Sequence, residues 1–151
     1  MQMRIAACVA GVWLSVTGFV AVQQPAEFKI PPEEAKKENP VKASDSSIAD
    51  GKRIYKIDCA MCHGEQGDGK TELAASMELN LRDLREPARM KEYTDGALAF
   101  LILKGKGKMP GEEGRLKGNQ VWNVVNYLRS VVKKEEPAEK KNPGEEKKPP
   151  Q

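Results

Sequence analysis

The sequence is poor in the residues from which metal sites and large apolar cores are built. Its 151 residues include one histidine, three cysteines, two tryptophans, three tyrosines and three phenylalanines. The single histidine excludes a histidine-rich metal site and the two-histidine site of a conventional metalloprotease, and three cysteines exclude a scaffold held by several disulfides. Because three of the few aromatic residues precede residue 30, a large self-sufficient core is not expected. The formal net charge of +3 is not concentrated in any segment, which argues against nucleic-acid binding.

The N-terminal segment, residues 1–22, has the pattern of an export signal. Arg4 precedes an uncharged run of 18 residues, Ile5–Val22, which is typical of a secretory signal and also reaches the lower limit of a membrane span. Cleavage after Ala21 would place the large Phe19 where a small residue is wanted, so a cleaved signal and an uncleaved membrane anchor both remain open. Either interpretation predicts an exported, periplasmic protein that is soluble or tethered to the outer face of the inner membrane.

Two further segments have the composition of unfolded chain. Residues 23–45 and 133–151 are rich in proline, lysine and glutamate, and they contain too little apolar surface to offset the entropy lost on ordering. We therefore predict a flexible linker over 23–45 and a disordered tail over 133–151. The foldable domain is then 46–132.

Within that domain the residue pattern predicts helices. The pair Ser47–Asp50 has the spacing of a capping box and predicts a helix over about 48–58. Thr94 is placed to cap a second helix that Gly105 ends, and an apolar stripe predicts a third helix over 119–132. Because no stretch shows the alternation of a strand, we predict an all-α fold of three main helices plus loops. Such a small unit needs a cofactor, metal or disulfide to complete its core.

The segment Cys59-Ala-Met-Cys62-His63 supplies a candidate for that role. It has the C-x-x-C-H pattern of c-type haem attachment, in which two thiols add to the haem vinyl groups and the following histidine binds the iron. A structural zinc site needs four ligands, and Cys8 is the one remaining cysteine. A thioredoxin-like dithiol should lie near a βαβ pattern, which is absent from the sequence. We therefore predict one covalently bound haem c.

Four motifs in register give the chain a resemblance to a known family. It resembles the class I cytochromes c, especially the single-haem bacterial c5- and c6-like proteins, over residues 46–132. The motifs are Gly51-x3-Tyr55-x3-Cys59, His63-Gly-Glu-Gln-Gly-Asp-Gly69, Leu103-Lys-Gly-Lys-Gly-Lys-Met109-Pro110 and Val121-Trp-x4-Tyr127-Leu-Arg129. The resemblance implies a small class I cytochrome c fold wrapped around the haem. It also implies that Gly51 lets the terminal helices cross closely, with Val124 and Tyr127 opposite.

The second axial ligand of the iron is expected to be Met109. No second histidine exists, so the candidates are a methionine or an open position. Met61 lies inside the attachment motif and cannot reach the far face of the haem, while Met77 and Met90 suit packing roles. Met109 lies on a glycine-flexed loop, is followed by Pro110, and matches the distal methionine of the resembled family. A thioether ligand stabilises ferrous iron and so raises the reduction potential.

One position departs from the family pattern. Many relatives have a proline after the Gly-x-Gly loop, and a carbonyl there holds the ring N–H of the proximal histidine. Lys70 stands at that place here, which leaves the orientation of the His63 ring open rather than its ligation.

The lysines beside Met109 bear on the choice of partner. Alternate residues of the loop are basic and would steer an acidic redox partner if they border the exposed haem edge. Ordinary loop solubility is the alternative, since two glutamates follow. The residues are Lys104, Lys106, Lys108, Glu112 and Glu113.

Together these features predict a monomeric one-electron carrier rather than an enzyme, exchanging electrons with redox protein partners. Two alternatives stay open. One is a tethered cytochrome subunit of a larger dehydrogenase or oxidase, and the other is a haem enzyme or gas sensor with an open sixth position.

Overall fold

The computed structural model describes residues 28–133. The predicted signal or anchor at 1–22, the first residues of the predicted linker and the tail from 134 lie outside the described residues. No helix within 28–133 is long and apolar enough to cross a membrane.

Seven helices make up the regular structure of the described part of the chain. Three of them are the main helices, and the other four are short turns of four or five residues. In chain order they are α1 (Pro32–Ala35), α2 (Asp45–Asp58), α3 (Ala60–His63), α4 (Glu72–Ser76), α5 (Pro87–Met90), α6 (Asp95–Lys104) and α7 (Gln120–Val131). Residues 28–133 contain isolated β-bridges but no strand, which confirms the predicted all-α fold.

Helix α2 begins earlier than the sequence pattern predicts. Its N-cap is Ser44, whose hydroxyl accepts the Ser47 N–H at 3.2 Å, while the Ser47 hydroxyl accepts the Ser44 N–H at 3.0 Å. The box predicted from Ser47 to Asp50 is therefore wrong. Ser47 is the third residue of the helix, and its hydroxyl accepts the hydrogen bond from the N-cap N–H that a glutamate carboxylate usually accepts at this position.

The crossing of α2 and α7 forms the centre of the core. A Cβ added to Gly51 would lie 1.9 Å from the Asn123 carbonyl oxygen and 3.0 Å from the Tyr127 Cβ, so the two backbones touch at this glycine. Val124 is buried in the same core. The close crossing expected at Gly51 is confirmed, and because α2 ends at Asp58 it fixes the direction in which the cysteine motif leaves the core.

Helix α6 follows the sequence prediction at both ends. Thr94 caps it by accepting the Ala97 N–H at 3.1 Å, and Gly105 ends it with a φ of 72°. Because this conformation suits glycine, the chain turns sharply there toward Met109.

The segment 28–44, called the strap below, differs from the predicted flexible linker. It contains α1 and packs on α6 and α7. A Cβ on Gly96 would lie 2.2 Å from the Glu34 carbonyl oxygen, and Asn39 donates to the Asn126 side chain at 2.8 Å. These long-range contacts order a segment whose own apolar content is low, which composition alone could not reveal.

Candidate functional site

The cysteine motif forms a single helical turn directly after α2. The His63 N–H donates to the Cys59 carbonyl at 2.9 Å, and the Cys62 N–H donates to the same oxygen at 3.2 Å. Both cysteines are free and half-buried. One turn therefore carries both thiols and the imidazole, as the C-x-x-C-H spacing predicts.

A cavity of about 370 Å³ lies against this turn, a volume within the range of small-molecule and cofactor sites. Cys59, Cys62 and His63 line one part of it, and Met109 with Pro110 lines another. All four residues predicted to hold a haem therefore share one cavity.

The side chain of His63 has the state that iron ligation requires. Burial lowers its pKa, so the imidazole is neutral near pH 7. Its Nδ1 is buried and has no hydrogen-bond partner among the described residues. The sequence left the orientation of the ring open at Lys70, and no carbonyl of the described residues accepts a hydrogen bond from Nδ1. A neutral imidazole that lines the cavity and is not held by another side chain or carbonyl is free to bind a metal ion through a ring nitrogen.

A tightly tied loop presents Met109. Lys106 and Met109 exchange two backbone hydrogen bonds, each of 3.0 Å. A Cβ on Gly105 would lie 2.4 Å from the Met109 carbonyl oxygen, so the loop closes only with glycine at its start. Beyond it, the Glu112 N–H donates to the Ile102 carbonyl of α6 at 3.0 Å. We call residues 105–111 the methionine loop.

The other methionines of the described residues lie elsewhere. Met61 is 68% exposed, Met77 is 40% exposed, and Met90 is buried in the apolar core at 4% exposure. Of the methionines among residues 28–133, only Met109 lines the cavity that His63 lines.

An acidic pair at the cavity edge was missed by sequence reasoning. Asp58 and Glu112 both line the cavity, and Arg115 forms ion pairs with both carboxylates. Burial first, and then these two carboxylates, raises the pKa of the Cys59 thiol to about 12. Because Asp58 directly precedes Cys59, the sequence could have predicted that it lies near the cysteine motif. Glu112 lies in an irregular loop, so no helical or strand periodicity predicts which way it faces.

Lys104, at the end of α6, and the two lysines of the methionine loop are all engaged in contacts. Lys104 pairs with Glu113 at 2.6 Å, and Lys108 donates to the Met77 carbonyl at 2.8 Å. The ammonium of Lys106 lies 5.6 Å from the centroid of the Phe28 ring. The charge of Lys104 is thus balanced by an ion pair, whereas Lys106 and Lys108 form no ion pair with the described residues and line the cavity together with the carboxylates of Asp58, Glu78 and Glu112.

Comparisons with known proteins agree with this geometry. Residues 46–128 match the family described as "Cytochrome C oxidase, cbb3-type, subunit III". The chain is 30% identical over 90 residues to cytochrome c6 of Limnospira maxima, covering 58% of this chain and 96% of that one. It is 32% identical over 90 residues to cytochrome c6 of Nostoc sp., covering 60% and 74%. The solved structure of the c-type cytochrome KustC0563 superposes with a TM-score of 0.50 at 23% identity, covering 55% of this chain and 98% of that one, and supports the fold.

Proposed function

The chain belongs to the cbb3-type cytochrome c oxidase subunit III family, and on that premise we propose that it is a one-electron carrier in which His63 and Met109 would hold the haem iron. Membership of this family makes it a class I c-type cytochrome with a covalently bound haem c and a role in haem-based electron transfer. The observation that carries the proposal is the shared cavity: of the described methionines, only Met109 lines the space that His63 and both cysteines line.

The residues present fit the haem. Cys59 and Cys62 lie one turn apart for two thioether bonds, and the neutral imidazole of His63 has a buried nitrogen without a partner. When bound, the haem supplies the Fe(III)/Fe(II) couple, which accepts and releases one electron.

The side chains around the cavity act on that couple in two opposing ways. The thioether of Met109 favours ferrous iron and raises the reduction potential. The carboxylates of Asp58 and Glu112 favour the state with one more positive charge, which is the oxidised state. Because Arg115 pairs with both carboxylates, its positive charge opposes theirs and weakens this effect.

An absorption spectrum of the ferric holoprotein tests the ligation. We expect a low-spin spectrum with the weak charge-transfer band of methionine–iron bonding. In Met109→Ala we expect loss of that band, carbon monoxide binding to the ferrous form and a lower reduction potential. Met61→Ala is the matched control, because that side chain is exposed and lines no part of the cavity. A Met109→Ala spectrum identical to the wild type would refute the assignment.

A haem enzyme or gas sensor with an open sixth position is the less favoured reading, because Met109 lies in the cavity. Rapid carbon monoxide binding by the wild type would support it.

A second candidate is a cytochrome subunit of a larger oxidase, which the description of the matched family favours. In either case the protein is exported to the periplasm, where it is soluble or tethered. Lys106 and Lys108 at the cavity favour an acidic redox partner, and such association weakens as salt rises. Purification from native membranes separates the two: co-elution with an oxidase supports the subunit, and a free monomer supports the mobile carrier.

A further inference from the structure

The N-terminal end of the strap lies against the methionine loop. The ring of Phe28 packs on Phe100 of α6, with centroids 6.1 Å apart and planes tilted by 44°. The ammonium of Lys106 lies over the same Phe28 ring at 5.6 Å. Phe28, Phe100, Lys106 and Met109 together line one shallow surface pocket. Lys106 is hydrogen-bonded to Met109 through both of its backbone groups. The Phe28 ring therefore contacts a residue that is bonded directly to the proposed ligand.

The rest of the strap is anchored away from the cavity. The Thr94 hydroxyl donates to the Ala35 carbonyl at 2.5 Å. At Gly96 the two backbones are so close that a Cβ would lie 2.2 Å from the Glu34 oxygen and 2.7 Å from the Lys37 oxygen. These contacts hold the strap on the first turn of α6, and the Asn39 amide ties it to α7.

The methionine loop lacks apolar anchors of its own. Gly105 and Gly107 both have positive φ, and a Cβ on Gly107 would meet nothing within 4 Å. Besides backbone hydrogen bonds, the loop is restrained by the exposed Lys108 and by the Phe28 ring beneath Lys106. No residue of the strap lines the cavity, and the contact of Phe28 with Lys106 connects the strap to the loop that carries Met109.

We propose that the strap is a clamp that holds the methionine loop closed, with Phe28 as a positioning residue that keeps Met109 on the iron. The proposal rests on the His63 and Met109 ligation proposed above. When the clamp is released, the loop opens more often, and the sixth position becomes available to an outside ligand.

Imidazole binding to the ferric full-length holoprotein measures that opening. Imidazole competes for the sixth position, so its apparent affinity rises in proportion to the fraction of open molecules. We expect Phe28→Ala to bind imidazole about tenfold more tightly, which corresponds to about 1.4 kcal/mol. Phe28→Tyr keeps the aromatic face and should restore the wild-type affinity.

A second variant releases the clamp from its other end. Gly96→Ala forces the strap off α6 without touching the methionine loop, and we expect imidazole affinity to rise in the same direction. The double variant should bind imidazole little more tightly than either single variant, because both substitutions release the same clamp. Lys36→Ala, an exposed strap residue, is the control and should match the wild type.

The outcomes separate the clamp from the ligation itself. If the wild type shows no methionine–iron band, the proposed ligation fails, and the clamp fails with it. If the band is present but Phe28→Ala and Gly96→Ala bind imidazole like the wild type, the clamp is overturned and the ligation stands. An equal rise in Lys36→Ala would also overturn it, because the effect would not depend on the two contact points.

Discussion

Replacement of Gly51 by alanine is the sharpest test of how the terminal helices pack. The new Cβ would lie 1.9 Å from the Asn123 carbonyl oxygen, whereas ordinary contact begins at 3.4 Å. The helices would therefore have to separate by about 1.5 Å at their crossing. Overpacking of this kind costs about 1–3 kcal/mol, and backbone atoms of a helix cannot move aside singly, so we take about 3 kcal/mol. Alanine also stabilises the helix interior by about 1 kcal/mol relative to glycine, which offsets part of this cost.

The net loss of about 2 kcal/mol lowers the thermal midpoint by about 10 °C in a domain of this size. Thermal unfolding of the holoprotein, followed by far-ultraviolet circular dichroism, measures it. Lys52→Ala is the matched control on the exposed side of the same helix and should stay within about 0.5 kcal/mol of the wild type. A Gly51→Ala protein that melts at or above the wild-type temperature would refute the close crossing.

Two other side chains give further predictions. Tyr55→Phe removes the hydroxyl that donates to the Gly64 carbonyl at 2.8 Å, and denaturant unfolding should show a loss of about 1 kcal/mol, because the Gly67 N–H still donates to that carbonyl. Burial raises the pKa of Tyr55 above its ordinary value of 10.0, so its contribution to stability is complete below pH 10 and falls as the pH rises further. The difference between the two proteins should therefore narrow above pH 10, and a constant difference would contradict the buried neutral phenol. Arg129→Lys should cost about 1–2 kcal/mol in the same unfolding assay, because one guanidinium bonds Asp95, the Met90 carbonyl at the end of α5 and the Tyr93 carbonyl in the α5–α6 connection, which an ammonium cannot do. An unchanged midpoint would show that water compensates for the loss of these bonds.

Local signals in the sequence were sufficient where one side chain decides the outcome. Thr94 caps α6 and Gly105 ends it, as predicted, because each acts on backbone groups within four residues. Gly51 was placed correctly because the family resemblance supplied its partner helix. The start of α2 was misplaced, since the reciprocal bonds of Ser44 and Ser47 use two hydroxyls in place of the expected carboxylate.

The strap was missed because its order depends on residues far along the chain. Gly96 in the first turn of a helix and Asn126 inside an apolar stripe are the two local oddities that the strap explains. A glycine or a side-chain amide at such a position indicates that another part of the chain packs closely there. It does not indicate which segment packs there. That Met109 and His63 share a cavity was expected, because both were predicted to bind one haem iron. The nearby carboxylates of Asp58 and Glu112 could not be paired from the sequence, because the position of Glu112 depends on the path of an irregular loop.

The crossing of α2 and α7 also determines which parts of the molecule open together. Their contact closes a loop of about sixty residues between Asp58 and Gln120, and that loop contains the cysteine motif and the methionine loop. The backbone amides at the crossing should exchange with deuterium only through global unfolding, whereas those of 105–111 should exchange through local openings. Ligand exchange at the cavity would then follow the local opening of the methionine loop and would not require global unfolding of the protein.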